Sequence, residues 1–270
     1  MMKRLLLNIG MCVAALLVCF PLLWMVSVSL MANGEASHSP APIFPADPSL
    51  AHYRQLLGSG GLARAFGNSL MLAIATTCIS TLLNTLAGYA FAKLHFRGRE
   101  AIFSGLIGAL VIPGQVAMLP LFLLLKEMHL VNSYLGVLIP GFAGIFGIFL
   151  VRQYAKTVPS ELIEAARMDG AGEWRIFFAV VMPLLKPVIV TLAVFAFLGS
   201  WNDFMWPLIV LTDGQLYTLP VALASLSREH VQDSELMMAG AVITVLPVLL
   251  LFLVLQRHYM QGLTMGGVKQ

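Results

Sequence analysis

Six apolar runs, each about long enough to cross a lipid bilayer, constrain this chain more than any other feature of its sequence. A spanning helix needs roughly 20 predominantly apolar residues. Hydrophobic residues make up 59% of the chain and charged residues 11%, against about 25% charged in soluble domains, so lipid is the expected solvent for most of its surface. The runs predict an all-α integral membrane protein, a single transmembrane domain over residues 1–270 with six transmembrane helices at about residues 5–31, 67–92, 102–125, 134–151, 184–211 and 236–256.

The basic residues set the expected orientation, because Lys and Arg collect on the cytoplasmic side of a membrane. With the N-terminus inside, twelve of the 16 Lys and Arg residues fall in inner segments and four in outer ones. Both termini are therefore expected in the cytoplasm, with residues 257–270 as a cytosolic tail. The first run follows Lys3 and Arg4 as in a signal peptide, but it is longer than the 7–15 apolar residues of such a peptide, which favours a retained helix.

The loop at about residues 157–183 contains an amphipathic segment broken by glycine, ELIEAARMDG. Pro159 suits the first helical turn, where its missing N–H costs little, and two glutamates follow where the helix dipole favours negative charge. Gly170 can adopt the left-handed conformation that closes a helix, and a second short helix is predicted at about 173–182. The orientation places this helix-turn-helix in the cytosol, between the fourth and fifth transmembrane helices.

The balanced charges of this loop favour the docking of a soluble protein. A helix that only rests on lipid headgroups is dominated by Lys and Arg on its polar face, whereas acids and bases are mixed here. Elsewhere the chain has no basic stripe interleaved with aromatic residues, which argues against nucleic-acid binding. Its Cys and His residues do not have metal-ligand spacing, so no metal site is predicted.

Four stretches occur in a fixed order along the chain. They are EAARMDGAGEWRIFFAVVMPLLKP at 164–187, WNDFMWPLIVL at 201–211, LPVALASL at 219–226 and the ending QRHYMQGLTMGGVKQ at 256–270. Together they resemble the membrane permease subunits of binding-protein-dependent ABC importers, in the carbohydrate-uptake branch similar to the second maltose permease. The departures from the pattern are small: Met182 stands where Leu is usual, and the leucine is shifted to Leu184 and Leu185.

The resemblance implies that the loop is a coupling helix seated in a groove of a cytosolic ATPase dimer. The residues that match the family's coupling motif are Glu164, Ala165, Ala166, Asp169 and Gly170. The tail residues implied to reach the same ATPase, with a frayed terminus as the alternative, are Gln261, Gly262 and Leu263.

The resemblance also implies where the chemistry and the other partners lie. ATP and Mg would be bound by the partner ATPase, since this chain contains no GxxxxGK[ST] nucleotide loop and is not expected to be an enzyme. A second, homologous permease subunit and a periplasmic or extracellular solute-binding protein would complete the importer. Its place would be the bacterial inner membrane, with several spans in the lipid bilayer.

A cluster of aromatic and polar side chains within the fifth predicted helix is the candidate for solute contact. A carboxylate inside a membrane is by default a functional candidate, and aromatic faces suit the apolar C–H surfaces of sugar rings. The alternative is structural: aromatic residues gather at membrane interfaces, and the carboxylate would cap or brace a helix break near Pro207. The members of the cluster are Trp201, Asn202, Asp203 and Trp206.

The sequence therefore predicts a carbohydrate permease subunit that forms half of a translocation pathway. A secondary transporter driven by ion gradients would show charge pairs in its spans and an internal repeat, and a single intramembrane acid argues against it. A membrane scaffold that transports nothing would not need a rigid lever between its fourth and fifth helices.

Overall fold

The structure is a computed structural model that describes residues 2–38, 40, 42–58, 60–229 and 233–267. All regular secondary structure in these ranges is helical, which confirms the predicted all-α fold class for them. In chain order the α-helices are α1 (Met2–Ser29), α2 (Ala51–Gly58), α3 (Gly61–Lys93), α4 (Arg99–Ala109), α5 (Gly114–Glu127), α6 (Tyr134–Leu138), α7 (Ile145–Ala155), α8 (Ser160–Met168), α9 (Glu173–Ile176), α10 (Met182–Leu184), α11 (Lys186–Trp201), α12 (Met205–Val210), α13 (Leu219–Glu229) and α14 (Ser234–Gly267). Two 3-10 turns, Glu35–Ser37 and Ile139–Gly141, and a π-helical segment, Phe177–Val181, complete them.

Four segments of the described chain are long and apolar enough to cross a membrane. They are Leu6–Ser29 in α1, the whole of α3, Tyr134–Ala155 across α6 and α7, and Ser234–Val254 in α14. Two bent pairs also qualify, α4 with α5 at 105° and Glu173–Leu184 with α11 at 83°. The chain thus offers four spans, or up to six if each bent pair is one span.

The third predicted helix, 102–125, is interrupted near its centre. α4 ends at Ala109, and α5 begins at Gly114 with Pro113 as its N-cap residue. Proline supplies no N–H to the preceding turn and its ring clashes with the carbonyl four residues back. The interruption expected at Pro113 and Gly114 is therefore present in the structure.

The fifth predicted helix, 184–211, is interrupted in the structure. α11 ends at Trp201, and α12 starts at Met205 after a short non-helical stretch. Pro207 lies inside α12, so the break precedes the proline that was expected to cause it. The last helix behaves in the opposite way: α14 runs through Pro247 without a break.

The chain divides into two compact units, Met1–Gly67 with Thr218–Leu251 and Asn68–Tyr217 with Phe252–Gln270. In the first unit, Glu235 at the start of α14 is fully buried and accepts a hydrogen bond from the backbone N–H of Ala36 at 2.9 Å. Glu35 accepts from two backbone N–H groups of the segment after α1, at 2.7 and 2.9 Å, and these bonds lower the pKa of its carboxyl group. The backbone of the segment after α1 is therefore held by hydrogen bonds to two carboxylates.

The core of the second unit lies where α3, α7 and α11 meet the segment between α7 and α11. Gly88 of α3 allows the closest approach, because a Cβ built there would lie 2.6 Å from the Cβ of Val151 in α7. Small residues at helix interfaces let membrane helices pack this closely. The buried members of the core are Tyr89, Val151, Ala155, Val158, Ile163, Ile176, Phe177, Val181, Leu185, Val188 and Leu192.

Candidate functional site

The segment between α7 and α11 forms a bent helical unit, here called the elbow, consisting of α8, the turn after it and residues 173–184. Pro159 occupies the N-cap position of α8. The chain leaves α8 through a Schellman turn, in which the N–H of Ala171 donates to the carbonyl of Ala166 and the N–H of Gly170 to that of Arg167, both at 3.0 Å. Gly170 has φ +82°, a region that suits glycine because it has no Cβ. The predicted helix-turn-helix is confirmed.

An ion pair closes the inner angle of the elbow. Arg167 donates from Nε to Glu173 Oε1 at 2.7 Å and from Nη2 to Oε2 at 3.1 Å. The guanidinium holds the pKa of the Glu173 carboxyl below its usual value. Because a lowered carboxyl pKa adds stability above the unfolded value of about 4.3 and loses it only as the pH falls through the lowered value, the pair is intact at neutral pH. Both side chains are exposed, so the pair fixes geometry more than it adds stability.

The two faces of the elbow differ in what they meet. One face is buried in the core of the second unit, with Ile163 at 3% exposure and Ile176 at 0%. The rest of the elbow is uncovered and includes large apolar side chains: Met168 is 87% exposed and Trp174 68% exposed, and Trp174 stacks on Phe178 with ring centres 6.2 Å apart. Exposed apolar surface of this kind marks contact with a partner or with lipid.

The five predicted coupling residues lie around the same helix end. Four of them are exposed and the fifth, Ala166, is half-buried against the core. Sequence reasoning missed Met168, which lies within this set, and Trp174, which follows it. Their signal was available in the sequence, since two large apolar side chains lie among the charged residues of a loop expected outside the membrane. The exposed four are Glu164, Ala165, Asp169 and Gly170.

Beside the elbow, α3 and the start of α9 enclose a small apolar groove with a volume of about 380 Å³. Glu173 and Trp174 line it from the elbow, and Tyr89 lines it from α3. The rings of Tyr89 and Phe177 lie 5.4 Å apart between their centres. The groove shows that the elbow packs on α3 through its buried face and leaves space at its rim.

A break in the fourth span is stabilised by an asparagine of α3. Asn84 is 1% exposed, accepts a hydrogen bond from the N–H of Gly144 at 2.9 Å, and donates to Ser80 Oγ at 2.9 Å. Gly144 lies between the 3-10 turn at Ile139–Gly141 and α7, where a free N–H would otherwise face an apolar environment. Asn84 thus forms a hydrogen bond from α3 to the start of α7.

The aromatic and polar cluster predicted for solute contact surrounds the break between α11 and α12. Trp201 is 1% exposed and stacks on Phe197, and Trp206 is 6% exposed and donates from Nε1 to the carbonyl of Gly136 at 3.1 Å. Both rings are therefore part of the packing. Asn202, which is exposed, donates back to its own helix at 2.9 Å.

Asp203 is half-buried and its carboxylate oxygen Oδ1 accepts a hydrogen bond from the N–H of Trp206 at 3.3 Å. Asp203 precedes the N-cap residue Phe204, and its bond braces the first turn of α12 from there. The geometry agrees with the bracing alternative for this carboxylate.

The predicted tail contact falls on the end of α14. The helical backbone continues through this stretch to Gly267. The side chains of Gln261 and Leu263, and any contact of Gly262, lie outside the described part of the structure.

The fold and its apolar spans define a multi-pass helical membrane protein. Comparison with known families gives the same class: residues 84–264 match the family described as binding-protein-dependent transport system inner membrane component. The chain belongs to this family. It is a membrane-embedded transport subunit with no enzymatic activity of its own, which excludes the scaffold and secondary-transporter interpretations.

Relatives and a solved structure cover nearly the whole chain. It is 37% identical over 267 residues, 98% of this chain and 96% of the relative, to the arabinooligosaccharides transport system permease protein AraQ of Halalkalibacterium halodurans. It is 32% identical to the lactose transport system permease protein LacG of Rhizobium radiobacter, with 95% and 93% coverage of the two chains. A chain in the crystal structure of a bacterial ABC transporter involved in the import of the acidic polysaccharide alginate has the same fold, with a TM-score of 0.85, 21% identity and 96% of each chain covered.

Proposed function

We propose that this chain is the permease subunit of an ATP-driven importer for oligosaccharides or related solutes, and that it forms half of the translocation pathway. The observation that carries the proposal is the similarity along 98% of the chain to a permease of an arabinooligosaccharide transport system. Further relatives are named for lactose and for melibiose, raffinose and stachyose. The shared chemistry of these solutes is that of short, neutral sugars.

The elbow is proposed as the coupling element that docks on a cytosolic ATPase dimer. Its exposed side chains include the carboxylate of Glu164 and the apolar groups of Met168 and Trp174, a mixture that suits a protein partner. A lever must also be stiff, and the Schellman turn at Gly170 with the ion pair across it supplies that stiffness. Ala165, Ala166 and Asp169 complete the proposed contact.

The topology and partners follow from the same proposal. Six spans in a single transmembrane domain, with both termini in the cytoplasm, are supported by the distribution of Lys and Arg, by the four long apolar segments and by the bent pair of α4 and α5. The remaining span is proposed to begin at α11, after residues 173–184 of the elbow. Residues 257–270 then lie in the cytosol, and Gln261, Gly262 and Leu263 are proposed to reach the ATPase. A second, homologous permease would supply the other half of the pathway, and the solute-binding protein would dock on the opposite side.

The proposal is tested by reconstituting the chain in liposomes with its ATPase, its partner permease and its binding protein. An oligosaccharide is expected to accumulate only when ATP and the binding protein are both supplied. The measurement is uptake of labelled di- and trisaccharides across a panel. Accumulation driven by a proton or sodium gradient without ATP would contradict the proposed function.

Solute contact is proposed at the α11–α12 break, where Asn202 and Asp203 are the members of the cluster that reach its surface. Trp201 and Trp206 would hold the break in place from behind. The charge of Asp203 and its hydrogen-bond acceptor can be removed separately, because asparagine keeps an acceptor for the N–H of Trp206 while alanine does not.

Asp203→Asn and Asp203→Ala are therefore expected to differ according to the role of the carboxylate. If it contacts solute through its charge, both variants lose uptake by about tenfold or more. If it only braces the break, Asp203→Asn retains uptake near wild type and Asp203→Ala loses stability by about 1 kcal/mol. Uptake rates and thermal unfolding of the purified complex distinguish the two, and normal uptake in both variants removes Asp203 from the pathway.

A further inference from the structure

Three helices of the second unit, α3, α4 and α7, meet at one buried cation. Arg152, in the last turn of α7, has a side chain that is only 7% exposed. Its Nε donates to the carbonyl of Phe91 in α3 at 3.1 Å, and its Nη2 donates to both carboxylate oxygens of Glu100 in α4, at 3.1 and 2.9 Å. The guanidinium carbon also lies 3.8 Å from the ring centre of Phe103, within the range of a cation–π contact.

A second cation, Lys93, connects the end of α3 with the segment that follows α7. Lys93 is the last residue of α3, and its ammonium donates to the carbonyl of Val158 and to Ser160 Oγ, the latter at 3.3 Å. Val158 is 6% exposed, and Ser160 is the first residue of α8. Lys93 therefore reaches the short stretch that leads from α7 into the elbow.

These contacts form a reciprocal clasp, made of Lys93, Arg152 and Glu100 with the carbonyls of Phe91 and Val158. Lys93, at the end of α3, donates hydrogen bonds to the entry of the elbow. Arg152, at the end of α7, donates a hydrogen bond to the end of α3. Hydrogen bonds from charged donors are roughly twice as strong as neutral ones. A guanidinium this buried also carries a desolvation penalty if it loses its partners, so the contacts of the clasp are held together.

The clasp gives the elbow a second connection to the membrane helices. The covalent chain joins the elbow only to α7 and α11, whereas the clasp joins its entry to α3 and, through Glu100, to α4. Resting on the proposed coupling role of the elbow, we propose that Lys93 and Arg152 are positioning residues that transmit movement of the elbow into α3 and α4. Coupling of this kind needs contiguous polar contacts between rigid elements, and the clasp provides them.

The test is Lys93→Met in the reconstituted importer, scored as solute imported per ATP hydrolysed. Methionine keeps a long apolar stem but has no donor for the Val158 carbonyl, so this ratio is expected to fall about five- to tenfold. Lys93→Arg retains N–H donors and is expected to recover most of the ratio. Lys156→Met is the matched control, because Lys156 is an exposed cation at the end of the neighbouring helix α7 and lies outside the clasp.

The ratio separates a positioning role from a purely structural one. A variant that only destabilised the chain would lower ATP hydrolysis and uptake together and leave their ratio unchanged, which would overturn the proposal. If Lys93→Met does not accumulate in the membrane, Arg152→Lys takes its place, since lysine keeps the charge but lacks the separate Nε and Nη2 donors that reach Phe91 and Glu100. An unchanged ratio in Arg152→Lys would also overturn the proposal.

Failure of the clasp is distinguishable from failure of the proposed function. Glu164→Lys, on the exposed face of α8, is measured in the same assay. If it uncouples uptake from ATP hydrolysis while Lys93→Met does not, the clasp is wrong and the coupling role of the elbow remains. If neither variant changes the ratio, the coupling role of the elbow is itself wrong.

Discussion

Glu164→Lys is expected to abolish uptake while the chain still inserts into the membrane. Glu164 is exposed on α8, so the substitution is expected to leave the packing of the elbow intact. A lysine there places a like charge three residues before Arg167, a weak effect between exposed side chains. The loss is expected in docking, where reversing a charge at the centre of an interface costs about 2 kcal/mol or more, or roughly thirtyfold in affinity.

The measurements are membrane accumulation, co-purification of the ATPase, and uptake. Lys156→Glu is the matched control, because it also reverses an exposed charge but lies at the end of α7, before the elbow, and near-normal uptake is expected from it. Glu164→Gln is expected to fall between wild type and Glu164→Lys, since it keeps the shape and loses the charge. Normal uptake and normal ATPase binding in Glu164→Lys would show that the exposed face of α8 is not the coupling surface.

The elbow was predictable because its signals are local. Pro159 and the glycine at 170 mark the ends of α8 in the sequence, and the structure places the helix between them. A missing N–H and a left-handed turn act within a few residues, so no tertiary contact is needed to read them. The uncovered face of the same helix was not predictable, since exposure depends on which neighbouring helices cover it.

The clasp and the close helix contacts were not predictable, because they join residues that are far apart in the sequence. Arg152 entered the sequence analysis only as one positive charge among twelve, and its burial follows from Glu100 and Phe103, about 50 positions earlier in the chain. The positions of glycines in the sequence do not show which of them lie at a close helix contact either. A Cβ at Gly105 or Gly108 would meet nothing within 4 Å, whereas one at Gly147 would lie 2.7 Å from the Asn84 side chain. The sequence shows which glycines share a helix face, but not which of these faces meets another helix.

The α11–α12 break shows where a local rule misleads. Pro207 is a helix breaker by sequence, yet it sits inside α12, and the chain leaves α11 earlier, at Trp201. At the start of a helix proline gives up no hydrogen bond. Its position near the start of α12 is therefore favourable, and the carboxylate of Asp203 braces the same turn.

Gly88→Ala is expected to destabilise the second unit and to impair transport through the contact between α3 and α7. The added Cβ would lie 2.6 Å from Val151 Cβ and 2.9 Å from the backbone nitrogen of Arg152. A backbone atom cannot rotate away, so the two helices must separate. Overpacking of this kind costs about 1–3 kcal/mol, and the shift also lengthens the bond from Arg152 to the Phe91 carbonyl, measured at 3.1 Å.

Gly67→Ala is the matched control for Gly88→Ala, since Gly67 lies in the same helix and a Cβ there would meet nothing within 4 Å. Alanine favours a helix by about 0.8–1.0 kcal/mol over glycine, so Gly67→Ala is expected to be neutral or slightly stabilising. Thermal unfolding in detergent and import per ATP measure both variants. Val151→Ala relieves only the contact with Val151 Cγ1 at 2.7 Å, so its rescue of Gly88→Ala should be partial. Equal stability of the two glycine variants would mean that α3 and α7 do not approach each other at Gly88.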